Sequence, residues 1–319
     1  MCMKFDMKTV PCLFILFTAF MVHIEAENTE LSDQINSLIE KDEKTTNEKY
    51  KFSFGAIADC QYYSGPNRGS RHYLSSAEKL EECIKELNTR DLKFVIHLGD
   101  FIDRYYASFD KVSPIYQSLN MPAYHALGNH DFDVADKWKA QIPKQMGMQA
   151  RYYDFASENW RFIVLDGNDI SFHAYPKNSS EYREAEVYYQ QNKIRSPKWN
   201  GAVGKEQVDW MRKILEVAEG KGERVVIFCH YPVYPADPHN LWNAEEVISI
   251  LEDFPCVMAY INGHNHKGAY GIKNGIHYLT LKGMVETEIN AYSIINVYQN
   301  RLIINGHGRE VERRLVFRK

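Results

Sequence analysis

Five times along this chain a short apolar run ends in Asp, Asn or His. The sites are Asp59-Cys60-Gln61, Gly99-Asp100-Phe101-Ile102-Asp103-Arg104, Gly128-Asn129-His130-Asp131, Cys229-His230-Tyr231-Pro232 and Gly263-His264-Asn265-His266. The runs before them, such as KFSFGAIA and KFVIHL, read as strands entering a core. A buried strand that ends in ionisable groups must pair them, solvate them or give them to a metal. Ligand sites in α/β folds lie beyond the carboxyl ends of strands. One such motif is common by chance. Five in order, each after a strand, call for a layered fold with a shared polar site.

The rest of the pattern agrees. Tyr73, Ala77, Leu80, Ile84 and Leu87 fall three or four apart, on one face of a helix within 72–90. Val208, Met211, Ile214, Leu215 and Ala218 stripe a helix over 205–219. Further helices are expected near 108–118, 134–146, 181–193 and 243–252. Further strands are expected at 122–127, 152–155, 161–166, 224–229, 256–262, 276–281, 291–297 and 301–306. The first half alternates strand and helix, which calls for an α/β layered core. The end is a succession of strands. At 45% apolar and 25% charged, the chain is not disordered, collagenous or coiled-coil. A net charge of −4 advertises no nucleic-acid partner.

The donors at the five sites are carboxylates, imidazoles and carboxamides without Cys. That set suits Mn²⁺, Fe²⁺, Zn²⁺ or Mg²⁺. His264 and His266 can both face one site if the backbone turns, and Gly263 is expected to supply that freedom, as Gly99 and Gly128 do beside Asp100 and Asn129. The six Cys form no CxxC pair, against a Cys-based zinc site or a dense disulfide framework.

The first fifty residues differ from the body. Lys4 and Lys8 precede the apolar run Val10–Val22, and Ile24-Glu25-Ala26 follows. The run is shorter than the roughly 20 residues that a membrane-spanning helix needs. It reads as a secretory signal over 1–26, with an uncleaved membrane anchor as the alternative. Residues 27–49 are polar and charged, and read as a tether or peripheral helix. The working domain is then 50–319. The expected location is export, secreted or periplasmic. Cys60, Cys83, Cys229 and Cys256 remain after cleavage and form one disulfide or none.

The motifs resemble those of the calcineurin-like metallophosphoesterases: D-x-H, GDxxD, GNH(D/E), H and GHxH, in that order. The resemblance covers Lys51 to the end of the chain. Gln61 stands where most members have His. That Gln, with His230-Tyr231-Pro232-Val233-Tyr234-Pro235, Leu165-Asp166-Gly167, Trp199-Asn200-Gly201, Leu241-Trp242-Asn243 and Gly283-Met284-Val285-Glu286-Thr287, is similar to the manganese-dependent ADP-ribose/CDP-alcohol diphosphatase branch. An export signal departs from that branch.

The resemblance implies a four-layer α-β-β-α sandwich with two mixed sheets flanked by helices. It implies two divalent ions, Mn²⁺ before Fe²⁺, Zn²⁺ or Mg²⁺. One would be held by Asp59, Gln61, Asp100 and His266, the other by Asp100, Asn129, His230 and His264. It implies His130 as the catalytic group, oriented by Asp103. Arg104 falls where some relatives bind phosphate, and a nucleobase needs a stacking wall. Trp242 is the first candidate; Tyr234, Phe101 and Tyr62 follow, with core packing as the plainer role for each. His97 and His125 read as core residues. The implied reaction is cleavage of the phosphoanhydride in ADP-ribose or CDP-alcohols such as CDP-choline, by water activated between the ions. The implied partner is that small nucleotide, with the protein a monomer. The alternatives are a cyclic-nucleotide or general phosphodiester hydrolase and a non-enzymatic scaffold. The complete ligand set speaks against the scaffold. Asp103, where a Tyr ligand would be expected, speaks against purple-acid chemistry.

Overall fold

The computed structural model describes residues 49–318. The expected leader at 1–26 and all but Lys49 of the expected tether lie outside the described residues. No helix among the described residues is long and apolar enough to cross a membrane.

Two six-stranded mixed sheets make the frame. The first runs β14(Arg313–Val316)-β13(Arg301–Gly308)-β12(Ala291–Tyr298)-β1(Tyr50–Ile57)-β2(Val95–His97)-β3(Ala123–His125). The second runs β10(Ala269–Lys273)-β11(Ile276–Thr280)-β9(Val257–Asn262)-β8(Arg224–Phe228)-β5(Trp160–Val164)-β4(Tyr153–Ser157). Strands β1, β2 and β3 are parallel, as are β5, β8, β9 and β11.

Strand periodicity builds the layers. Phe52, Phe54 and Ala56 of β1, with Phe94, Ile96 and Leu98 around β2, point to the space between the sheets. There they meet Phe162, Val164, Val226, Phe228 and Ile261 of the second sheet. Phe54 stacks on Phe94 at 4.7 Å, and Phe162 meets Phe94 edge-on at 4.8 Å. The alternate residues Ile57 and Val95 face outward onto helices Ser75–Leu87 and Phe109–Gln117. On the far side, Val225, Ile227 and Cys229 pack under helices Lys205–Gly220 and Ala244–Glu252. Each fully buried large apolar side chain contributes about 1.5–3 kcal/mol. The result is the expected α-β-β-α sandwich.

Some elements differ from expectation. The helix expected at 134–146 is two short turns, Asp136–Lys139 and Ile142–Gln145, and Pro143 opens the second. Proline suits a helix start and breaks a helix interior. A third, two-stranded sheet pairs β6(Ile170–Ser171) with β7(Gly201–Ala202), and carries helix Ser180–Gln191 between them. Two-residue strands leave no periodic signal. All four described cysteines are free thiols.

Candidate metal centre

All five motifs sit just past the carboxyl ends of parallel strands. Asp59 and Gln61 follow β1, Asp100 follows β2, and Asn129 and His130 follow β3. His230 follows β8, and His264 and His266 follow β9. The first sheet thus supplies carboxylates and carboxamides, and the second supplies imidazoles. The backbone reverses sharply at these ends. Asp59, Gln61, Asp100 and His264 take left-handed φ values of 52°, 48°, 54° and 69°. Such residues are uncommon outside glycine and cost of order 1–3 kcal/mol each. Gly263 does not supply the turn at His264, since its own φ is not positive. It supplies clearance: a Cβ there would stand 2.8 Å from Asp59 Oδ2. Gly128 does the same for Asp100, whose backbone nitrogen would lie 2.1 Å from a Cβ.

The seven expected ligands converge. Asp59, Asp100 and His266 offer ligand atoms within 4.8 Å of one another, and so do Asp100, His230 and His264. Asp100 belongs to both sets. Its Oδ1 accepts the His130 backbone N–H at 2.7 Å. Its Oδ2 lies 3.3 Å from Gln61 Nε2 and 3.4 Å from His230 Nε2. Asn129 Oδ1 is 3.3 Å from His230 Nε2.

Each imidazole is turned by a partner on its outer nitrogen. His230 Nδ1 donates to the Leu98 carbonyl at 2.8 Å, which leaves Nε2 facing Asp100. His266 Nδ1 meets Glu286 Oε1 at 2.7 Å, with Nε2 3.5 Å from Asp59. His264 Nε2 meets Asn200 Oδ1 at 2.9 Å, with Nδ1 3.0 Å from His230 Nε2. Outer partners of this kind fix tautomer and ring orientation in metal sites.

The donor set fits cations. Gln61 is fully buried and its Oε1 has no hydrogen-bond partner, an acceptor that a cation would satisfy. Burial opposes charge on His230, yet Asp100 lifts it to about 9. Burial likewise opposes charge on His266, and Asp59 and Glu286 lift it to about 9. His264 is pushed well down by burial and by its neighbour His230. The hydrogen bond from His266 brings Glu286 to about 2. Two imidazoles drawn toward the charged form beside buried carboxylates mark a strong local demand for positive charge.

His130 lies beside this cluster, with Nδ1 3.0 Å from Asp103 Oδ1. Burial works against its charged form, and Asp100 and Asp103 outweigh it, so its pKa is raised. The centre opens into a cleft of about 730 Å³, whose wall includes Asp100, Asn129, His130, His264 and His266. Basic groups, Arg68, Arg71, Lys139 and Lys198, also line it, as do Phe172, Trp199 and His239.

Neither Arg104 nor Trp242 is in that wall. The Arg104 guanidinium lies over Tyr63 at 5.2 Å, with Nε 3.8 Å from Asp103. Trp242 donates to the Pro197 carbonyl at 3.1 Å and packs on Phe172, so it braces the wall from behind. Tyr234, Phe101 and Tyr62 do not line the cleft either. Sequence reasoning assigned no role to the cleft cations, to Glu286 and Asn200, or to Asp131, which it took only as the last residue of its motif. Glu286 and Asn200 lie in segments already singled out by resemblance, which was the only signal for them.

A two-sheet sandwich with carboxylate, carboxamide and imidazole donors at its strand ends is the architecture of a metal-dependent phosphohydrolase. The chain belongs to the calcineurin-like phosphoesterase family, whose profile it matches over residues 52–268. It is 30% identical over 302 residues to a manganese-dependent ADP-ribose/CDP-alcohol diphosphatase of Oryza sativa subsp. japonica, covering 83% of this chain and 94% of that one. A protein of the same description from Arabidopsis thaliana is 31% identical over 294 residues, covering 81% and 94%. The crystal structure of a dimetal phosphatase from Danio rerio superposes with a TM-score of 0.76 at 26% identity, covering 85% of this chain and all of that one.

Proposed function

We propose that this protein hydrolyses the phosphoanhydride bond of nucleoside diphosphate-linked compounds, ADP-ribose and CDP-alcohols, with two divalent ions, manganese first. The observation that carries the proposal is Asp100. It is shared by two donor sets and lines a cleft that four cationic side chains also line.

Asp59, Gln61, Asp100 and His266 would hold one ion, and Asp100, Asn129, His230 and His264 the other. When bound, the pair supplies Lewis acidity toward phosphoryl oxygens and a water of lowered pKa. Around it, the chain's own groups divide the work. The basic wall draws in an anionic substrate and screens its charge. Asp103 fixes His130 through Nδ1, so Nε2 is free to present a proton to the leaving oxygen. Against burial, Asp100 and Asp103 favour the protonated ring, which suits a donor role. Asp166, the only acid of the Leu165-Asp166-Gly167 segment, is tied to Arg151 Nε at 2.6 Å and serves structure instead. The names of the relatives support manganese and this substrate class, and the oxygen donor Gln61 in place of an imidazole favours a harder ion.

The test is a substrate profile. The protein is stripped of metal, reloaded with Mn²⁺ and assayed on ADP-ribose, CDP-choline, cyclic AMP and bis(4-nitrophenyl) phosphate. Faster turnover of the first two is expected. Activity on the last two with none on the first two would replace this proposal with a phosphodiesterase.

We further infer export, on the basis of the sequence of the first 26 residues. Expression of the full chain in an exporting host, followed by amino-terminal sequencing of the secreted protein, tests it. A product that stays in the cytosol with Met1 intact would refute it.

A further inference from the structure

The cleft holds a second built feature, which the chemistry above uses only as undirected charge. Arg68 and Arg71 exchange both backbone hydrogen bonds, each 3.1 Å, around Gly69-Ser70. This is a two-residue hairpin turn, and Gly69 takes φ 60° at its first central position. No atom lies near where a Gly69 Cβ would stand, so backbone angle alone asks for glycine. Residues directly opposite on a hairpin project from the same face, with Cβ atoms about 5 Å apart. Two arginines are therefore set side by side, and both line the cleft.

Like charges directly opposite one another are unfavourable. Only one of these two is answered: Arg71 Nε lies 3.8 Å from Glu286, while no carboxylate among the described residues pairs with Arg68. The turn is also fixed in place. His72 N–H donates to the Val285 carbonyl at 2.8 Å, and Thr287 N–H to the Ser70 carbonyl at 2.7 Å. Those bonds tie it to the segment whose Glu286 orients His266. Arg71 lines the same cleft wall as His130 and His266, so it stands at the edge of the metal centre. The other cleft cations are engaged elsewhere. Lys139 donates to the Tyr175 carbonyl at 3.2 Å and pairs with Asp136 at 3.1 Å. Lys198 lies over Phe172 at 4.8 Å.

We propose that Arg68 and Arg71 form the subsite for the second phosphate of the substrate, the one that is not attacked, and so select diphosphates over single phosphodiesters. The inference rests on the phosphoanhydride reading above and deepens it. Guanidinium forks suit this task, since each can hold two phosphate oxygens at once. A lysine keeps the charge and loses the fork.

The test separates this subsite from the activity. Affinities of adenosine 5′-(α,β-methylene)diphosphate and of AMP are measured by calorimetry on the manganese-loaded protein and on R68A, R71A and R71K. The parent is expected to prefer the diphosphate analogue. R68A and R71A should weaken that analogue roughly 10–100-fold, with a much smaller effect on AMP, as loss of a charge-assisted contact predicts. R71K should fall between. R68A touches neither Glu286 nor any metal ligand, so it reports on the subsite even if R71A disturbs the fold. Equal loss for both ligands, no loss for either, or a parent without preference would each overturn the subsite. Turnover of ADP-ribose is recorded in parallel. A parent inert on ADP-ribose and CDP-choline, yet selective for the diphosphate analogue through both arginines, would sink the proposed activity and leave the subsite standing.

Discussion

The carboxylate of Asp131 accepts the backbone N–H of Asp100 at 3.1 Å, and with it the N–H groups of Phe101, Ile102 and Gly128. Asp131 is fully buried and is not in the cleft wall. It holds the left-handed turn that aims the shared ligand Asp100. Asp131→Ala leaves four buried donors without a partner, each worth about 1–3 kcal/mol when orphaned. A loss of about 3 kcal/mol or more in urea unfolding is expected, with manganese content falling alongside. Full retention of metal and stability would show that the turn holds itself.

Asp100→Ala removes a donor common to both ion sets. Metal content by mass spectrometry of the native protein should fall below two, and metal-dependent turnover should vanish. A variant that keeps two ions and measurable turnover would contradict the shared role.

His130→Ala should spare both ions and lower turnover by about 10²–10⁴, the range for positioned acid–base assistance. Asp103→Asn acts through the same ring and should reproduce part of that loss. If His130→Ala strips metal instead, the residue is a ligand and its place in the mechanism is wrong.

Glu286→Ala and Asn200→Ala each remove the partner on the outer nitrogen of a ligand ring. Manganese affinity should drop about 10–100-fold for each. Titration of the metal-stripped protein with Mn²⁺ measures this directly. Unchanged affinity would reduce both residues to packing.

His125 offers a pH signature away from the ions. Burial brings its pKa to about 3, and Nδ1 has no partner. Below about pH 6.5 the unfolded chain takes up a proton there. The folded chain does not until about pH 3. The unfolded state then binds more protons, so stability falls as pH drops through this window, by about 1.4 kcal/mol per unit for one such group. His125→Phe should flatten the pH 4–6 limb of urea stability by about that slope, measured in chelator to keep metal out. An unchanged slope would mean that His125 charges in the folded protein.

The layers and the donors were legible in the sequence because both are local. Period-two alternation in KFVIHL separates Phe94, Ile96 and Leu98 from Val95, and each ligand stands within four residues of its strand. Arg71 was not legible. It reaches the cleft only because a turn far from Asp100 in sequence pairs with the segment around Glu286, and no periodicity announces that pairing. Arg104 was misplaced for the complementary reason: its neighbour Asp103 and the face of Tyr63 hold it off the cleft. Trp242 packs behind the cleft wall, the plainer of the two roles expected for it. The helix expected over 134–146 divides just ahead of Pro143 into two short turns.

The ribbon of β6 and β7 has an evolutionary reading. Its two ends are joined by a two-residue ladder, so everything from Phe172 to Trp199 departs from and returns to nearly one point. A loop anchored in this way can be lengthened or exchanged at small entropic expense, since closure grows only logarithmically with length. It also supplies Phe172, Lys198 and Trp199 to the cleft. The cassette thus adds side chains to the cleft wall while the proposed ligands stay at the ends of the two large sheets. New specificities could arise there by insertion, without re-engineering the centre, provided that Asn200 at the cassette's foot is left in place.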